Sequence, residues 1–294
     1  MPRIAVPGLI DALIVKDAAT IRTLATDPRL DRQYVPRGAL INRILLGRLG
    51  RVLQLGGRRL PPVAEHGPVR PAPEQAALAA RLNAIAEGGI KGADFQPLVD
   101  YVRGKGPEGD AGRLSQQAVG RLFSPAYQAS ADSWADAEVL GAAPSNFNPF
   151  KALIWALTGR VENARAALAV KVGGDPSGLH GTGVAIHNLS EAFARMRKIY
   201  AETRGHPSVS AEKAVGNALF APRQVLRQPT MAMTLPAGQL SPDTLVILQL
   251  QAANADNPGY DMVFMEGAWA QCPAHRWIPA LMSAVWLQAT AEQA

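Results

Sequence analysis

The sequence predicts a mainly α-helical fold with a small β region, on three observations. Alanine, leucine and arginine, which favour helices, recur throughout, whereas aromatic residues make up only 6% of the chain. Several segments repeat apolar residues three and four positions apart, which is the spacing of one helix face. Short apolar runs typical of strands occur only near residue 12 and after residue 230. With 48% hydrophobic and 18% charged residues the chain can bury a sizeable core, so we expect one domain over residues 1–294.

The elements of the first half follow from apolar spacing and from helix start and stop residues. Residues 12–15 are predicted as a short strand, and Asp17 is predicted to N-cap a helix that reaches residue 25. Residues 37–55 carry a helical stripe of leucine, isoleucine and valine, with arginines on or beside the other face. Residues 56–73 are rich in glycine and proline and are predicted as a loop. Further helices are predicted over 74–87, before a loop at 104–112, over 114–122 and over 132–140.

The second half is helical as far as residue 219 and then changes character. A long helix is predicted over 150–172, where Gly173-Gly174-Asp175-Pro176 stops it. Residues 184–203 form the clearest amphipathic pattern of the chain. The remaining predicted elements are a helix over 211–219, strands over 231–235 and 245–250 with a turn at 236–238, and a last helix over 274–289.

Charge and cysteine content narrow the class of protein. The formal net charge is +6 and the pI is 9.7. The arginines are scattered among apolar residues without interleaved aromatics, so we predict no nucleic-acid partner. The single cysteine excludes an intramolecular disulfide, which fits a reducing compartment. Residues 1–17 lack the pattern of a signal peptide and no run is long enough for a membrane span, so we expect a cytoplasmic protein.

The arginine-rich segment 37–55 leaves two interpretations open. Its amphipathic pattern is typical of a surface helix or a lid over a site. A basic amphipathic helix can also lie in the interface of an anionic membrane. Peripheral membrane contact through 37–55 is therefore the alternative.

The segment 236–286 carries the most informative pattern of the chain. Thr244-Leu245-Val246 and the stretch Ala252-Ala253-Asn254-Ala255-Asp256 precede a loop with Phe264, Gly267 and Cys272, and a predicted helix follows. This order resembles the C-terminal part of a cytochrome P450, in which a G-T-L-V strand, an A-A-N-R-D stretch and a loop F-x-x-G-x-x-x-C-x-G follow one another. Residues 12–34 resemble the start of many bacterial members of that family. The resemblance implies a compact, P450-like helical fold.

The resemblance implies haem b as cofactor, with Cys272 as the axial thiolate ligand of its iron. A helix that starts just after Cys272 would favour the thiolate through its free N–H groups and its dipole. Phe264 would shield the sulfur, and Gly267 would let the loop pass close to the porphyrin. The spacing from Phe264 to Cys272 is one residue longer than in the family's usual loop.

Basic residues for the haem propionates come from more than one place in the sequence. Arg227 resembles the family's propionate-binding arginine, with Arg223 as a weaker substitute. His275 or Arg276 could also supply a cation. Ala270 stands where the family has a basic residue that faces a propionate.

The oxygen-activating side is marked less clearly. The glycine-rich segment 179–188 is the nearest candidate for the family's oxygen-activating helix, and it offers His180, Thr182 and His187 as candidate catalytic residues. No acidic residue lies beside Thr182. The two histidines are seven residues apart and would share one helix face, so either could move a proton near neutral pH. The alternative is that one of them packs or caps while the other is exposed.

Together these features imply a haem-thiolate oxidoreductase that acts on an apolar organic substrate. Because the acid–alcohol pair is missing, we expect peroxide-driven oxidation or a rearrangement rather than reductive monooxygenation with a redox partner. The chain is shorter than typical members, and the family's E-x-x-R pair is missing at 217–220. These departures leave a second hypothesis, a haem-free or catalytically silent relative that serves as a binding or scaffold protein in a biosynthetic assembly.

Overall fold

The computed structural model describes residues 1–32, 34–62, 72–145, 148–203, 209–256 and 259–291. Helices account for 58% of the protein, so the predicted mainly helical class with a small β region is confirmed. The elements are β1 (Arg3–Val6), β2 (Ile10–Val15), α1 (Ala18–Thr26), β3 (Leu30–Asp31), α2 (Leu40–Val52), β4 (Gln54–Leu55), β5 (Arg58–Arg59), α3 (Pro73–Glu87), α4 (Gln96–Val102), α5 (Ala111–Gly120), α6 (Ala131–Ala142), α7 (Pro149–Leu157), α8 (Arg160–Lys171), α9 (Pro176–His180), α10 (Ile186–Thr203), α11 (Ala211–Ala218), β6 (Val225–Pro229), β7 (Met233–Leu235), β8 (Gly238–Leu240), β9 (Leu245–Leu248), α12 (Leu250–Asp256), α13 (Tyr260–Phe264) and α14 (Trp277–Thr290).

The chain divides into two compact units, each built from separate stretches of sequence. The first unit comprises Met1–Ala76, Ala143–Ile154 and Ala221–Cys272, and the second comprises Ala77–Ala142, Trp155–Phe220 and Pro273–Ala294. The first unit holds the sheets and the second is helical. The expectation of one domain over 1–294 stays a prediction.

A five-stranded sheet with the order β1-β2-β9-β6-β3 forms the centre of the first unit. The apolar strand β2 pairs in parallel with β9, which sets Leu13 opposite Val246. The strands β6 and β9 are antiparallel, with Arg227 opposite Val246. At the sheet edge β3 pairs antiparallel with β6, with Asp31 opposite Gln228. This pairing brings residues near position 30 beside residues near position 228.

Polar contacts tie the N-terminal hairpin to this sheet. The carboxylate of Asp11 accepts hydrogen bonds from Arg3 Nε at 2.9 Å and from Thr244 Oγ1 at 2.7 Å. Burial raises the pKa of Asp11, but these hydrogen bonds outweigh that effect and leave its pKa below the ordinary value. The Asp11 carbonyl accepts a hydrogen bond from Asn42 Nδ2 at 2.7 Å. The hairpin is thus held from both sides.

The helix predicted after Asp17 is confirmed as α1. The Asp17 carboxylate accepts a hydrogen bond from the Thr20 N–H at 2.7 Å, which is the N-cap contact that the sequence predicts. Ile21 and Leu24 are buried in the core of the first unit. That core also contains Leu13, Val15, Leu30, Val246 and Leu248 of the sheet. Burial of this face gives α1 the stability that a nine-residue helix lacks in isolation.

The helix predicted over 37–55 is shorter in the structure, because α2 covers Leu40–Val52 and a β-hairpin begins directly after it. Gly56 and Gly57 form the hairpin turn with φ of 55° and 78°, which is left-handed backbone that glycine adopts at low cost. The exposed residues of α2 include the apolar Leu40 and Ile44. Part of the segment predicted as a loop is therefore the strand β5.

The second unit packs helices around large apolar side chains. Phe193 of α10 and Trp286 of α14 are fully buried. Gly92 allows α14 to approach closely, since an added Cβ would overlap the carbonyl oxygen of Ala284. Arg103 donates from Nε to the Ala289 carbonyl at 3.0 Å, and the Tyr200 hydroxyl donates to the same carbonyl at 3.3 Å, so both side chains bind the last turn of α14. Among the helices that the structure describes, none combines the length and apolarity needed to cross a bilayer.

Two predicted helices are divided in the structure. The segment predicted as one helix over 150–172 breaks at Gly159, whose left-handed φ of 58° ends α7 and allows α8 to begin. The helix predicted over 184–203 is instead the last part of a longer one, because α9 continues through a π-helical turn at Gly181–Ala185 into α10. Local spacing does not reveal the extra residue of a π turn.

Candidate cofactor site

The loop that carries Cys272 is closed by its own backbone. It leaves α13 through Met265, whose φ of 53° is left-handed and turns the chain back. The N–H of Cys272 donates to the Phe264 carbonyl at 2.8 Å, which joins the two ends of the loop. Phe264 is buried, and the thiol residue Cys272 is half-buried. The structure thus brings together Phe264 and Cys272, two of the residues that the sequence predicts for one site.

Hydrogen bonds within the loop fix its shape. Gly267 has φ of 74°, and its N–H donates to Gln271 Oε1 at 3.1 Å. The N–H of Gln271 donates to the Ala268 carbonyl at 3.0 Å. An added Cβ on Gly267 would meet nothing within 4 Å, so the left-handed backbone is the reason for glycine at this position. The loop is therefore ordered by contacts of its own.

Arg227, the predicted propionate ligand, lies on strand β6 of the five-stranded sheet, between β9 and the edge strand β3. Its residue is only 3% exposed, whereas the weaker candidate Arg223 is exposed. One guanidinium nitrogen donates to the Leu226 carbonyl at 2.9 Å. Burial is the main cause that lowers the pKa of Arg227 to about 10. The positive charge of Arg32 acts in the same direction, and Tyr34 and Asp31 act against it. The side chain is a buried cation at neutral pH.

A second buried arginine, which sequence reasoning missed, lies beside the first. Arg32 is 8% exposed, and burial lowers its pKa too. One of its terminal nitrogens donates to the Pro61 carbonyl at 3.1 Å. Its neighbour Asp31 accepts the Arg32 backbone N–H at 2.6 Å and pairs with Arg59 at 2.5 Å. No motif marks Arg32 in the sequence, because its position depends on strand pairing across nearly two hundred residues.

Gln228 holds the segment after Arg32 against β6. Its side-chain amide accepts the Val35 N–H at 3.0 Å and donates to the Val35 carbonyl at 3.1 Å. These two bonds replace the backbone pairing that ends at Asp31. Arg32 therefore lies between Asp31 and Val35, each of which is hydrogen-bonded to β6.

Trp269 of the cysteine loop connects the loop to both arginines. Its ring centroid lies 5.1 Å from the Arg32 guanidinium carbon and 5.3 Å from that of Arg227. Within the part of the chain that the structure describes, the buried atoms Arg32 Nε, Arg227 Nε and Trp269 Nε1 have no hydrogen-bond partner. Buried donors normally find partners, so these three fit an anionic group. Haem, which carries two carboxylates, suits this donor set together with the neighbouring cysteine.

The helix after Cys272 begins later than the sequence predicts. We expected it over 274–289, but α14 starts at Trp277, after a turn at residues 273–276. The start of α14 therefore does not support the expectation that a helix N-terminus directly after Cys272 stabilises its thiolate. Arg276, one of the alternative cations, forms an ion pair with Glu87 at 2.8 Å within the second unit.

The oxygen-side candidates all belong to the second unit. Thr182 lies in the π turn, is fully buried, and donates its hydroxyl proton to the Gly178 carbonyl at 2.8 Å. The Thr182 carbonyl accepts a hydrogen bond from Gln116 Nε2 at 3.0 Å, which satisfies one acceptor of the irregular turn. Gln116 in turn accepts from the Ser133 hydroxyl at 2.7 Å. The turn is thus held by a buried polar network.

The two histidines have different surroundings. His187 Nε2 hydrogen-bonds the Ala137 carbonyl at 2.9 Å, and its ring packs 5.2 Å from that of Trp134. His180 is half-buried at the end of α9. The π turn adds one residue between them, which rotates later side chains by about 100°, so His180 and His187 do not share one face. The catalytic roles of Thr182 and the histidines stay predictions.

No family model and no curated protein matches the sequence. Solved structures match nearly the whole chain. CYP154C4 from Streptomyces sp. W2061 is 14% identical with a TM-score of 0.57, over 98% of this chain and 83% of the other. The mycinamicin VIII C21 methyl hydroxylase MycCI from Micromonospora griseorubida is 14% identical with a TM-score of 0.50, over 97% and 84%. The cytochrome P450 CxnD, for C–S bond formation in chuangxinmycin biosynthesis, is 15% identical with a TM-score of 0.53, over 94% and 79%.

These similarities establish the fold of the chain. At 14–15% identity they carry no residue roles with them. The chain has the cytochrome P450 fold, and the P450-like fold that the sequence predicts is confirmed.

Proposed function

We propose that this protein is a haem-thiolate oxidoreductase in which Cys272 ligates the iron of haem b and Arg227 binds a propionate. The observation that carries the proposal is the buried guanidinium of Arg227, which packs on Trp269 in the loop that holds Cys272. A buried cation with an unpartnered Nε requires an anion nearby. The hydrogen bonds of the loop backbone also support the proposal, because they would hold Cys272 in position before the cofactor binds.

Each residue of the site has a chemical task in this proposal. A thiolate-ligated haem supplies oxidising power toward organic substrates when it is bound. Cys272 must be ionised to act as the ligand, because the thiolate and not the thiol binds metal. The buried ring of Phe264 limits water near the sulfur, and the left-handed Gly267 sets the path of the loop. Arg227 neutralises the charge of a propionate through a charge-assisted hydrogen bond.

The substrate we propose is an apolar organic molecule. Among proteins of this fold, one is described as a methyl hydroxylase, one as an enzyme for C–S bond formation, and CYP154C4 from Streptomyces sp. ATCC 11861 is described with testosterone bound. The fold therefore serves several reactions and does not select one. We propose hydrogen peroxide as oxidant rather than dioxygen with a redox partner. No acidic residue adjoins Thr182 in the sequence, so the acid–alcohol pair for dioxygen is missing. A histidine, His180 or His187, can instead move a proton between the two oxygens of the peroxide.

An absorption spectrum of the reduced protein under carbon monoxide tests the proposal. We expect the strongly red-shifted Soret band of a thiolate complex, and we expect Cys272→Ala to lose that band. Gln271→Ala is the matched control, because it removes the side-chain contact to Gly267 in the same loop and leaves the thiol in place. A wild-type protein that stays colourless after haem reconstitution would contradict the proposal.

The alternative function is a haem-free or catalytically silent binding protein of this fold. Thr182 Oγ1 and His187 Nε2 each form a hydrogen bond with a backbone carbonyl. These contacts favour the alternative, because they give both side chains a structural role. Haem reconstitution separates the two functions. Binding with the thiolate spectrum but no turnover with peroxide would support a silent relative.

Contact with an anionic membrane through 37–55 belongs to the proposal as well. Leu40 and Ile44 of α2 are 46% and 43% exposed, and the neighbouring Arg43 is exposed too. A basic, partly apolar surface of this kind binds anionic lipid interfaces. Co-sedimentation with phosphatidylserine vesicles should fall for Ile44→Gln and stay unchanged for Ile85→Gln, an exposed isoleucine of α3. Equal sedimentation of both variants would contradict the contact.

A further inference from the structure

Arg32 follows directly on β3, and Arg227 lies on the neighbouring strand β6 of the first unit. The antiparallel register of β3 and β6 pairs Leu30 with Pro229 and Asp31 with Gln228. Continued by one residue, it sets Arg32 opposite Arg227. Side chains at opposite positions of an antiparallel pair emerge on the same face, and like charges there destabilise the sheet. Both side chains nevertheless remain buried.

The surrounding charges do not balance this pair. Asp31 is the acidic partner in the cluster, and it is already bound to Arg59 at 2.5 Å. Among the residues that the structure describes, the three guanidiniums of Arg32, Arg59 and Arg227 therefore face one carboxylate, which leaves two positive charges in excess. Uncompensated charge away from water is costly. An excess of two charges at a buried place fits a ligand with two negative charges.

Unused hydrogen-bond donors mark the same place. Arg32 Nε, Arg227 Nε and Trp269 Nε1 are buried and lack partners among the residues that the structure describes. The two guanidinium carbons lie 5.1 Å and 5.3 Å from the centroid of the Trp269 ring. Both arginines therefore lie beside the side chain that carries the third donor. Arginine is the residue best suited to carboxylates, because its fork of N–H groups matches two oxygens.

We propose that Arg32 is a second anion-binding residue, and that Arg32 and Arg227 together bind the two carboxylates of a porphyrin. This inference rests on the proposed function and extends it to a residue that no motif marks. Arg32 would supply, from the sheet edge, the cation that the cysteine loop lacks at Ala270. Trp269 would hold both guanidiniums in place by stacking.

Metal-free protoporphyrin IX and its dimethyl ester test the pair of carboxylates without involving the thiol. Titrated into the haem-free full-length protein, the free acid should bind more tightly than the ester. Arg32→Met should weaken binding of the free acid by about tenfold or more, the scale of a lost hydrogen bond to a charged group, and should leave binding of the ester nearly unchanged. Arg29→Met is the matched control, since it removes an arginine of the same unit that is exposed and paired with Asp27.

Thermal melting of the haem-free variants separates binding from folding. Replacing a buried, uncompensated cation by an apolar side chain of similar size is neutral or stabilising. We therefore expect the melting temperature of haem-free Arg32→Met to equal or exceed that of wild type, while its affinity for protoporphyrin IX falls. A lower melting temperature together with equal losses for acid and ester would assign Arg32 a purely structural role and overturn the inference.

The outcomes also separate this inference from the proposed function. If haem binds with the thiolate spectrum and Arg32→Met retains full affinity for the free acid, the inference fails and the proposed function stands. If Arg32→Met loses affinity for the free acid but reconstituted wild type has no thiolate spectrum, the arginine pair stands and the haem-thiolate function fails.

Discussion

Replacing Asp31 by asparagine should destabilise the protein strongly, because this carboxylate pairs with Arg59 and is the negative charge beside the buried guanidiniums of Arg32 and Arg227. Its side chain is 3% exposed and contacts Arg59 at 2.5 Å and the Arg32 N–H at 2.6 Å. Breaking a buried ion pair costs about 3–5 kcal/mol. The Arg59 side chain keeps 23% of its surface exposed and can regain water, so we expect a loss near the lower end, about 3 kcal/mol.

Thermal melting of the haem-free protein measures this loss. A change of about 3 kcal/mol corresponds to a melting temperature lower by roughly 6 °C for a chain of this size. Glu191→Gln is the control, because Glu191 forms an exposed pair with Arg195 whose loss costs about 0.5 kcal/mol or less. Combining Asp31→Asn with Arg32→Met should recover part of the loss, since one unbalanced cation is removed. If Asp31→Asn melts like Glu191→Gln, the charge accounting at this cluster is wrong.

Three further predictions concern the site and the sheet. Arg227→Leu should lower haem retention while helix content by circular dichroism stays nearly constant, whereas exposed Arg223→Leu should retain haem; equal haem content in both would assign the propionate elsewhere. His180→Ala or His187→Ala should cost about a hundredfold in peroxide-supported turnover if that imidazole is the acid–base, and unaffected turnover with dioxygen and a reductase in both variants would refute the role. The lowered pKa of Asp11 stabilises the folded protein fully above about pH 4, and this stabilisation is lost as the pH falls through the folded-state pKa. The free energy of unfolding of Asp11→Asn should therefore fall less between neutral and acidic pH than that of wild type. An equal fall in both proteins would refute this.

Much of the fold could be predicted because its determinants are local. The N-cap contact of Asp17 and the burial of Ile21 and Leu24 follow from residue type and helical spacing. The turn near Gly238, with φ of 111°, follows from a proline and a glycine that are two residues apart, between apolar runs. The break at Gly159 was not predicted, because a glycine within apolar spacing does not reveal its backbone conformation.

The candidate site could be predicted only in part, because half of it depends on contacts distant in sequence. Phe264, Gly267 and Cys272 lie in one short loop and were found together through the resemblance. Arg32 becomes a neighbour of Arg227 only when β3 pairs with β6. The one indication in the sequence is a small excess of arginine over acidic residues near position 32. Such an excess is common on protein surfaces and does not indicate which residues a side chain contacts.

The carbon monoxide spectrum of the reduced, haem-reconstituted protein is the most direct test of thiolate ligation by Cys272. The haem-thiolate function predicts one equivalent of haem for each chain and a strongly red-shifted Soret band that depends on Cys272, the only thiol in the sequence. A Soret band without that shift, or one that persists in Cys272→Ala, would contradict thiolate ligation. Failure to retain haem at all would contradict the function as a whole.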